Sequence, residues 1–303
     1  MEQRRLGDDG PTVSVVGLGC NNFGMRVDEP STAKVVATAL DLGITHFDTA
    51  EMYGGGKSEE FLGLALGARR DEVVIASKFL PRPNDQPYTP GILRTRILEG
   101  CDISLRRLGT DHIDLYYQHY PDAAAPIEEL VEAFDTLRQA GKIRYAASSN
   151  VTAAQIEEAD AAGVGFSATQ IEWNLLNRDV EASVVPAALG HGMGIVPYFP
   201  LASGMLTGKY RRGEAFPEGT RLASNAYFAS VASDENFTYV EQLQAWAEAR
   251  GHTLLELAVA WLAAQRGVAS VIAGATKPEQ VEANAAAAAW SLTPAELAAV
   301  PTR

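Results

Sequence analysis

Apolar residues fall into two alternating patterns along the chain. Short runs rich in Val, Ile and aromatic residues occupy 13–19, 44–49, 72–78, 113–119, 143–149, 168–173, 194–200 and 270–274, and each is long enough for one strand. Between them apolar positions recur at helical spacing over 32–42, 58–66, 90–108, 127–140, 153–161, 180–189 and 278–288. Two more helical segments, near 235–249 and 254–266, separate the seventh strand from the eighth. Thr152 with Gln155, and Thr293-Pro294 with Glu296, have the spacing of a capping box and mark helix starts. Strict alternation implies parallel βα units, and eight of them predict an α/β protein of the (β/α)8 barrel type, each right-handed crossover laying a helix outside the sheet. The competing arrangement, a doubly wound open sheet, more often stops at five or six strands. Asp9-Gly10, between RRL and TVSVV, predicts an N-terminal β-hairpin ahead of the first barrel strand. The chain 1–303 therefore reads as a single barrel domain with extra C-terminal helices. Segment 211–236, polar and rich in Gly, Ser and Ala, falls where a long loop crosses the barrel top and is a candidate lid.

Composition narrows the function. Hydrophobic residues make up 47% of the 303, which supplies a sizeable core and excludes a disordered chain. No apolar run is long enough to span a bilayer, so no membrane partner is expected. Lys and Arg number 25 against 38 Asp and Glu, a net charge of −13 that disfavours nucleic acid as a partner. The start, MEQRRLGDDG, lacks an apolar segment behind its arginines, and the expected location is the cytoplasm. Cys20 and Cys101 form neither a CxxC nor a Cys/His cluster, which fits a reducing compartment.

Three tempting motifs fail. Gly17-Leu18-Gly19 is followed by Cys20-Asn21-Asn22, so the third glycine of a dinucleotide fingerprint is missing. Gly204 to Lys209 is one residue short of a phosphate loop, and Tyr210 stands where Ser or Thr would hold magnesium. His46 and Asp48 share parity on the second strand, yet no further His pair follows except for His119, so no metal site is expected.

One constellation does carry chemistry. Asp48 and Tyr53 follow the second strand pattern, Lys78 closes the third and His119 closes the fourth. Neighbouring strands lie about 4.8 Å apart, so the C-terminal mouth of a barrel can gather all four. A cationic Lys held by Asp48 would stabilise the phenolate of Tyr53 and let that hydroxyl act as a general acid or base. A neutral His can meanwhile donate to a carbonyl oxygen while hydride arrives at carbon. Together the four describe machinery for carbonyl reduction. Two other readings compete: Lys78 as a Schiff-base nucleophile of a lyase on the same barrel, and a nucleotide-binding regulatory subunit without turnover.

The segments GITHFDTAEMYGGGKSEEFLG, VVIASKF, DLYYQHYPD, AASSN, TQIEWNLL, PYFPLASGMLTGKY and VIAGATKPEQVEAN run in order over nearly the whole chain. They resemble those of the aldo-keto reductase superfamily. The resemblance implies that Asp48, Tyr53, Lys78 and His119 form its catalytic tetrad, with Tyr53 the proton donor, and that a nicotinamide cofactor lies extended across the barrel top. On the same ground Ser149, Asn150 and Gln170 would hold the carboxamide, and Tyr198, followed by Phe199, would stack on the ring. Leu201, Ser203 and Lys209 would hold the pyrophosphate. Gly274, Thr276, Gln280 and Asn284 fit one version of the adenosine 2′-phosphate pattern. Many members carry Arg where Gln280 stands and Glu where Ala283 stands, a gap that Lys277 and Arg221 could fill. The expected cofactor is NADP, NADPH preferred and NAD possible. Phe23, Met25, Tyr120 and Trp173, together with Phe79 and the Tyr227-Phe228 pair, are candidates for an aromatic substrate mouth that accepts aldehydes or planar ketones. No fixed positive charge for a substrate carboxylate is evident in the sequence.

Overall fold

A computed structural model describes residues 1–82, 86–224 and 226–303, with Tyr227 lacking a described side chain. Gln3–Arg5 (β1) and Thr12–Ser14 (β2) pair antiparallel, Arg5 opposite Thr12. Eight parallel strands follow in one sheet: Val16–Gly19 (β3), His46–Asp48 (β4), Val74–Phe79 (β5), Ile113–Gln118 (β6), Ile143–Ser149 (β7), Phe166–Glu172 (β8), Gly194–Tyr198 (β9) and Val271–Gly274 (β10). β10 pairs with β3, and β9 is stitched to the segment ahead of β10 by Ile195 N to Gly267 O (2.8 Å) and Ala269 N to Ile195 O (3.2 Å). The sheet thereby closes on itself, as the alternating pattern predicts.

The helices are Glu29–Asp41 (α1), Lys57–Leu66 (α2), Ile92–Leu108 (α3), Ile127–Gln139 (α4), Ala153–Ala161 (α5), Val184–Gly190 (α6), Arg221–Ser224 (α7), Ala226–Ala229 (α8), Asp234–Glu248 (α9), Leu254–Ala263 (α10), Pro278–Ala287 (α11) and Pro294–Ala299 (α12). The two predicted capping boxes open α5 and α12, and a third, Thr253 with Glu256, opens α10. Among the described residues no helix is long and apolar enough to cross a membrane.

Two predicted elements divide. The run 13–19 breaks at Val15, because the Ser14 hydroxyl donates to Val16 O (2.7 Å) and accepts from Thr45 N (2.9 Å), turning the chain from hairpin into barrel. The run 180–189 becomes a short 3-10 turn, Asp179–Ala182, and then α6. A continuous helix would place Pro186 in its interior, where the ring clashes with the carbonyl four residues back; the break at Ser183 puts Pro186 in a first turn.

Inside the barrel, Leu6 and Val13 of the hairpin end join Ala76, Leu115, Tyr117, Ala147, Ala168 and Val196 in a packed apolar layer. Inward-facing side chains nearer the C-terminal ends of the strands are polar: Asp48, Lys78 and Gln170. The change of character along the barrel axis marks the functional end.

Candidate active site

Lys78, on β5, has no exposure to solvent, so its ammonium must find partners within the protein. It donates to Asp48 Oδ1 at 2.6 Å and to Thr49 O at 2.9 Å. Asp48 Oδ2 accepts from Gln170 Nε2 at 2.8 Å, a bond that spans the interior from β8 to β4. Burial pulls the Lys78 pKa down, but the charge of Asp48 and the nearby Tyr53 outweigh it, and the net shift is upward. The lysine is thus held as a cation paired to Asp48, an arrangement that supports an electrostatic role better than that of a Schiff-base nucleophile, which needs a free amine.

Tyr53 begins the turn Tyr53–Gly56 after β4, with the Lys78 Nζ 5.1 Å from its ring centroid. Burial raises the Tyr53 pKa above its usual value, and Lys78 only partly offsets that rise. Lys78 pulls in the direction the sequence reading expects, toward a stabilised phenolate, while desolvation pulls harder the other way and leaves the hydroxyl protonated in the resting site. His119, directly after β6, meets Tyr53 edge-on at 5.9 Å and stacks on Tyr120 at 4.9 Å. Burial, seconded by Lys78, lowers the His119 pKa to about 3, so the ring is neutral. Asn150 Nδ2 donates to His119 O at 3.0 Å.

Asp48, Tyr53 and His119 line one cavity of about 710 Å³ at the C-terminal mouth, while Lys78 stands behind its wall. Ser149, Asn150, Gln170, Tyr198, Phe199, Leu201, Ser203, Lys209, Arg221, Gly274, Thr276, Gln280 and Asn284 line the same cavity. Asn150 is already engaged, its Oδ1 accepting from Tyr198 OH at 2.8 Å. Gln280 Oε1 accepts from Thr276 N (2.7 Å) and Thr276 Oγ1 (3.1 Å), which fixes the start of α11.

The donor set suits a long polyanion that carries an aromatic ring. The non-glycine residues with positive φ among the described ones, Asn150, Phe199, Ala202 and Ser203, all belong to the segments around the cavity, and such strain clusters where ligands are clamped. Ala202, Ser203 and Gly204 turn their backbone through successive left-handed positions, and the turn is closed by Ala202 N donating to Phe199 O (2.9 Å) and Gly204 N to Leu201 O (2.7 Å). Lys209 lies so close to Gly204 that a Cβ there would sit 2.8 Å from its Nζ. Arg221 is clasped between Phe199 and Phe228, 5.3 and 5.1 Å from their ring centroids. Burial and the neighbouring Arg26 lower its pKa, so two cations face the same space.

Other sequence candidates stand elsewhere. Lys277 is exposed as the N-cap of α11 and does not line the cavity. Phe23 is fully buried in the core, and Phe79 packs between Tyr116 and Phe134. Trp173 is buried against Trp261, its Nε1 bonded to Glu181 at 2.9 Å. Met25 is exposed and lines a separate shallow hollow with Lys57 and Phe61. Tyr120 and Phe228 do line the cavity; the side chain of Tyr227 lies outside the described residues. Segment 211–236 contributes Gly219, Thr220 and Arg221 to the wall, and an Arg26 guanidinium nitrogen donates to Gly219 O across the mouth. Arg26, Met52, Glu172 and Leu255 line the cavity without having been singled out in the sequence. Of these, Arg26 and Met52 lie in loops that follow β3 and β4, and loops after barrel strands face the site, so this position was the available signal.

Comparison with known proteins agrees with this geometry. Residues 15–301 match the model of the Aldo/keto reductase family. The chain is 37% identical to the aldo-keto reductase YhdN of Bacillus subtilis, over 96% of this chain and 90% of the other. It is 34% identical to a probable aldo-keto reductase 1 of Glycine max, over 97% and 86%. It is also 38% identical to a probable voltage-gated potassium channel subunit beta of Arabidopsis thaliana, over 94% and 90%. With the family match running from the first barrel strand to beyond the last helix, on a closed barrel with this mouth, the chain belongs to the aldo/keto reductase family of oxidoreductases.

Proposed function

We propose that the protein catalyses the reversible reduction of aldehydes or ketones with NADPH, Tyr53 giving the proton. The observation that carries this reading is the convergence of Tyr53, Asp48 and a neutral His119 on one cavity wall, with Lys78 held by Asp48 directly behind it. A bound reduced nicotinamide would supply the hydride to the carbonyl carbon. His119 donates a hydrogen bond to the carbonyl oxygen and orients it, because a neutral imidazole keeps one N–H. Tyr53 passes its proton to that oxygen as negative charge develops there, and Lys78 stabilises the phenolate left behind. Asp48 and Gln170 keep the lysine in place and take no proton themselves. Ser149, Asn150 and Gln170 would hold the carboxamide, Tyr198 would stack on the ring, and Ser203, Lys209 and Arg221 would hold the phosphates. Thr276, Gln280 and Asn284 would receive the 2′-phosphate, with Arg221 rather than Lys277 as the cation that lines the cavity. Tyr120, Met52 and Phe228 give the mouth an aromatic and apolar rim for the carbonyl substrate.

Titration with NADPH and NADH by fluorescence quenching, followed by a panel of small aldehydes at the tighter cofactor, tests the proposal. NADPH binding tighter than NADH, with absorbance loss on adding aldehyde, is the expected result. Equal or tighter NADH binding overturns the cofactor preference. The channel-subunit names of some relatives favour a second reading, a nucleotide-binding regulatory subunit, and tight binding without turnover across the panel would support it.

A further inference from the structure

The loop that carries Tyr53 is held from outside the barrel by one guanidinium. Arg107, in the last turn of α3, donates from Nη1 to the carbonyl oxygen of Glu51 (3.0 Å) and to Glu59 Oε2 (3.2 Å). Glu59, on α2, has no exposure and accepts at Oε1 from Ser77 Oγ at 2.6 Å. Ser77 immediately precedes Lys78 on β5. Glu51 completes the ring: its N–H donates to Lys78 O (3.1 Å), and its carboxylate accepts from Leu80 N (2.7 Å) and from Arg96. Local turns shape the loop through Gly54, Gly55 and Gly56, whose φ angles are 60°, 65° and 98°. Gly56 sits so close beneath the guanidinium that a Cβ there would lie 2.4 Å from Arg107 Cζ. The start of the loop is tied to β5 through Thr49, whose N–H donates to Ala76 O (2.8 Å) and whose carbonyl accepts from Lys78; the three glycines offer no side chain beyond it, so Arg107 and Glu51 hold the part nearer Tyr53. None of Glu51, Glu59, Ser77 and Arg107 lines the cavity.

We propose that Arg107 and Glu59 are positioning residues that set the separation between Tyr53 and Lys78, and so the readiness of Tyr53 to release its proton. This rests on the reading of Tyr53 as proton donor. Tyr53 and Lys78 belong to different elements, and the network ties both to the same buried carboxylate. The attraction between an ammonium and a nascent phenolate falls with distance and rises in a dry site, so a loop released by even about 1 Å weakens the coupling sharply.

The test uses the full chain with carbon-13-labelled tyrosine, the Tyr53 ring resonance being assigned by its loss in Tyr53→Phe. In Arg107→Met and Glu59→Gln, that resonance shifts or broadens and amide exchange over residues 50–57 rises. NADPH affinity stays at the wild-type value, whereas kcat falls about 10- to 100-fold, and Arg107→Lys, which can keep one of the two bonds, recovers part of it. Ser77→Ala removes a single bond of the network and serves if either charge variant fails to fold. An unchanged Tyr53 resonance with unchanged exchange overturns the proposal, as does a kcat loss that only tracks the folded fraction. If the unaltered chain shows no turnover, the carbonyl-reduction reading falls, and the resonance and exchange data still decide this inference.

Discussion

A buried ammonium persists only where its charge and its donors are met, and the partners of Lys78 make this site sensitive to single atoms. Lys78→Met leaves the Asp48 carboxylate buried with Gln170 as its remaining partner, which should cost about 3–5 kcal/mol of stability. Adding Asp48→Asn removes the stranded charge and should restore much of that loss; urea unfolding of the two variants measures the difference. Tyr53→Phe removes only a hydroxyl, so cofactor affinity should hold while kcat drops about 10²- to 10⁴-fold. Retained turnover in that variant would take Tyr53 out of the mechanism. His119, with its pKa lowered to about 3 first by burial and then by Lys78, stays neutral over the working range. The pH profile of kcat/KM should accordingly show no acidic limb near the ordinary histidine value of about 6.5, and a limb there that vanishes in His119→Ala would contradict the assigned protonation state.

Helix packing brings the support for the Tyr53 loop within reach. Gly63 of α2 faces the end of α3 so closely that a Cβ would lie 2.3 Å from Leu108 O, and this approach delivers Arg107 to Glu59 and Gly56. Helix propensity alone predicts that Gly63→Ala stabilises the helix by roughly 1 kcal/mol. The clash is with backbone, however, and forcing α2 off α3 should cost about 1–3 kcal/mol, so a lowered urea midpoint is expected. A raised midpoint would mean that the helices separate freely. Elements of this kind were legible where the pattern was long and capped, as with α3 and the capping boxes of α5 and α12. They were less legible where one side chain redirects the backbone: Ser14 splits the first strand run and Pro186 shortens a helix, and periodicity contains neither effect.

Over the molecule as a whole, acid stability follows from two buried neutral histidines. Burial lowers the pKa of His46 to about 4 and that of His119 to about 3, both below the unfolded value near 6.5. Unfolded chains therefore bind these protons first, and the folded state loses stability as pH falls below about 6.5, by up to about 1.4 kcal/mol per pH unit for each histidine. Urea midpoints at pH 7 and pH 5 measure this; about half the slope would mean that one ring is charged in the fold, and a flat stability would contradict the lowered pKa of both. The −13 charge adds self-repulsion around neutrality, yet the cavity gathers Lys209, Arg221 and Arg26, so NADPH affinity should weaken with added salt as the phosphate contacts are screened.

The alternation of strand and helix patterns specified the barrel, because each βα unit has to bury one apolar face and the right-handed crossover leaves few ways to do so. It also placed Asp48, Tyr53, Lys78 and His119 at neighbouring strand ends, since residue types and strand ends can be read along a line. Depth cannot be read that way. Trp173 and Phe23 are aromatic, like Tyr120 and Phe228, and the fold alone separates the buried pair from the cavity-lining pair. Nor does the sequence weigh desolvation against charge: the fold surrounds Tyr53 closely enough that burial outweighs Lys78, and it leaves Lys277 exposed outside the cavity lining while bringing Arg26 beside Arg221. These outcomes depend on distances between segments far apart in the chain, which exist only once the barrel has closed.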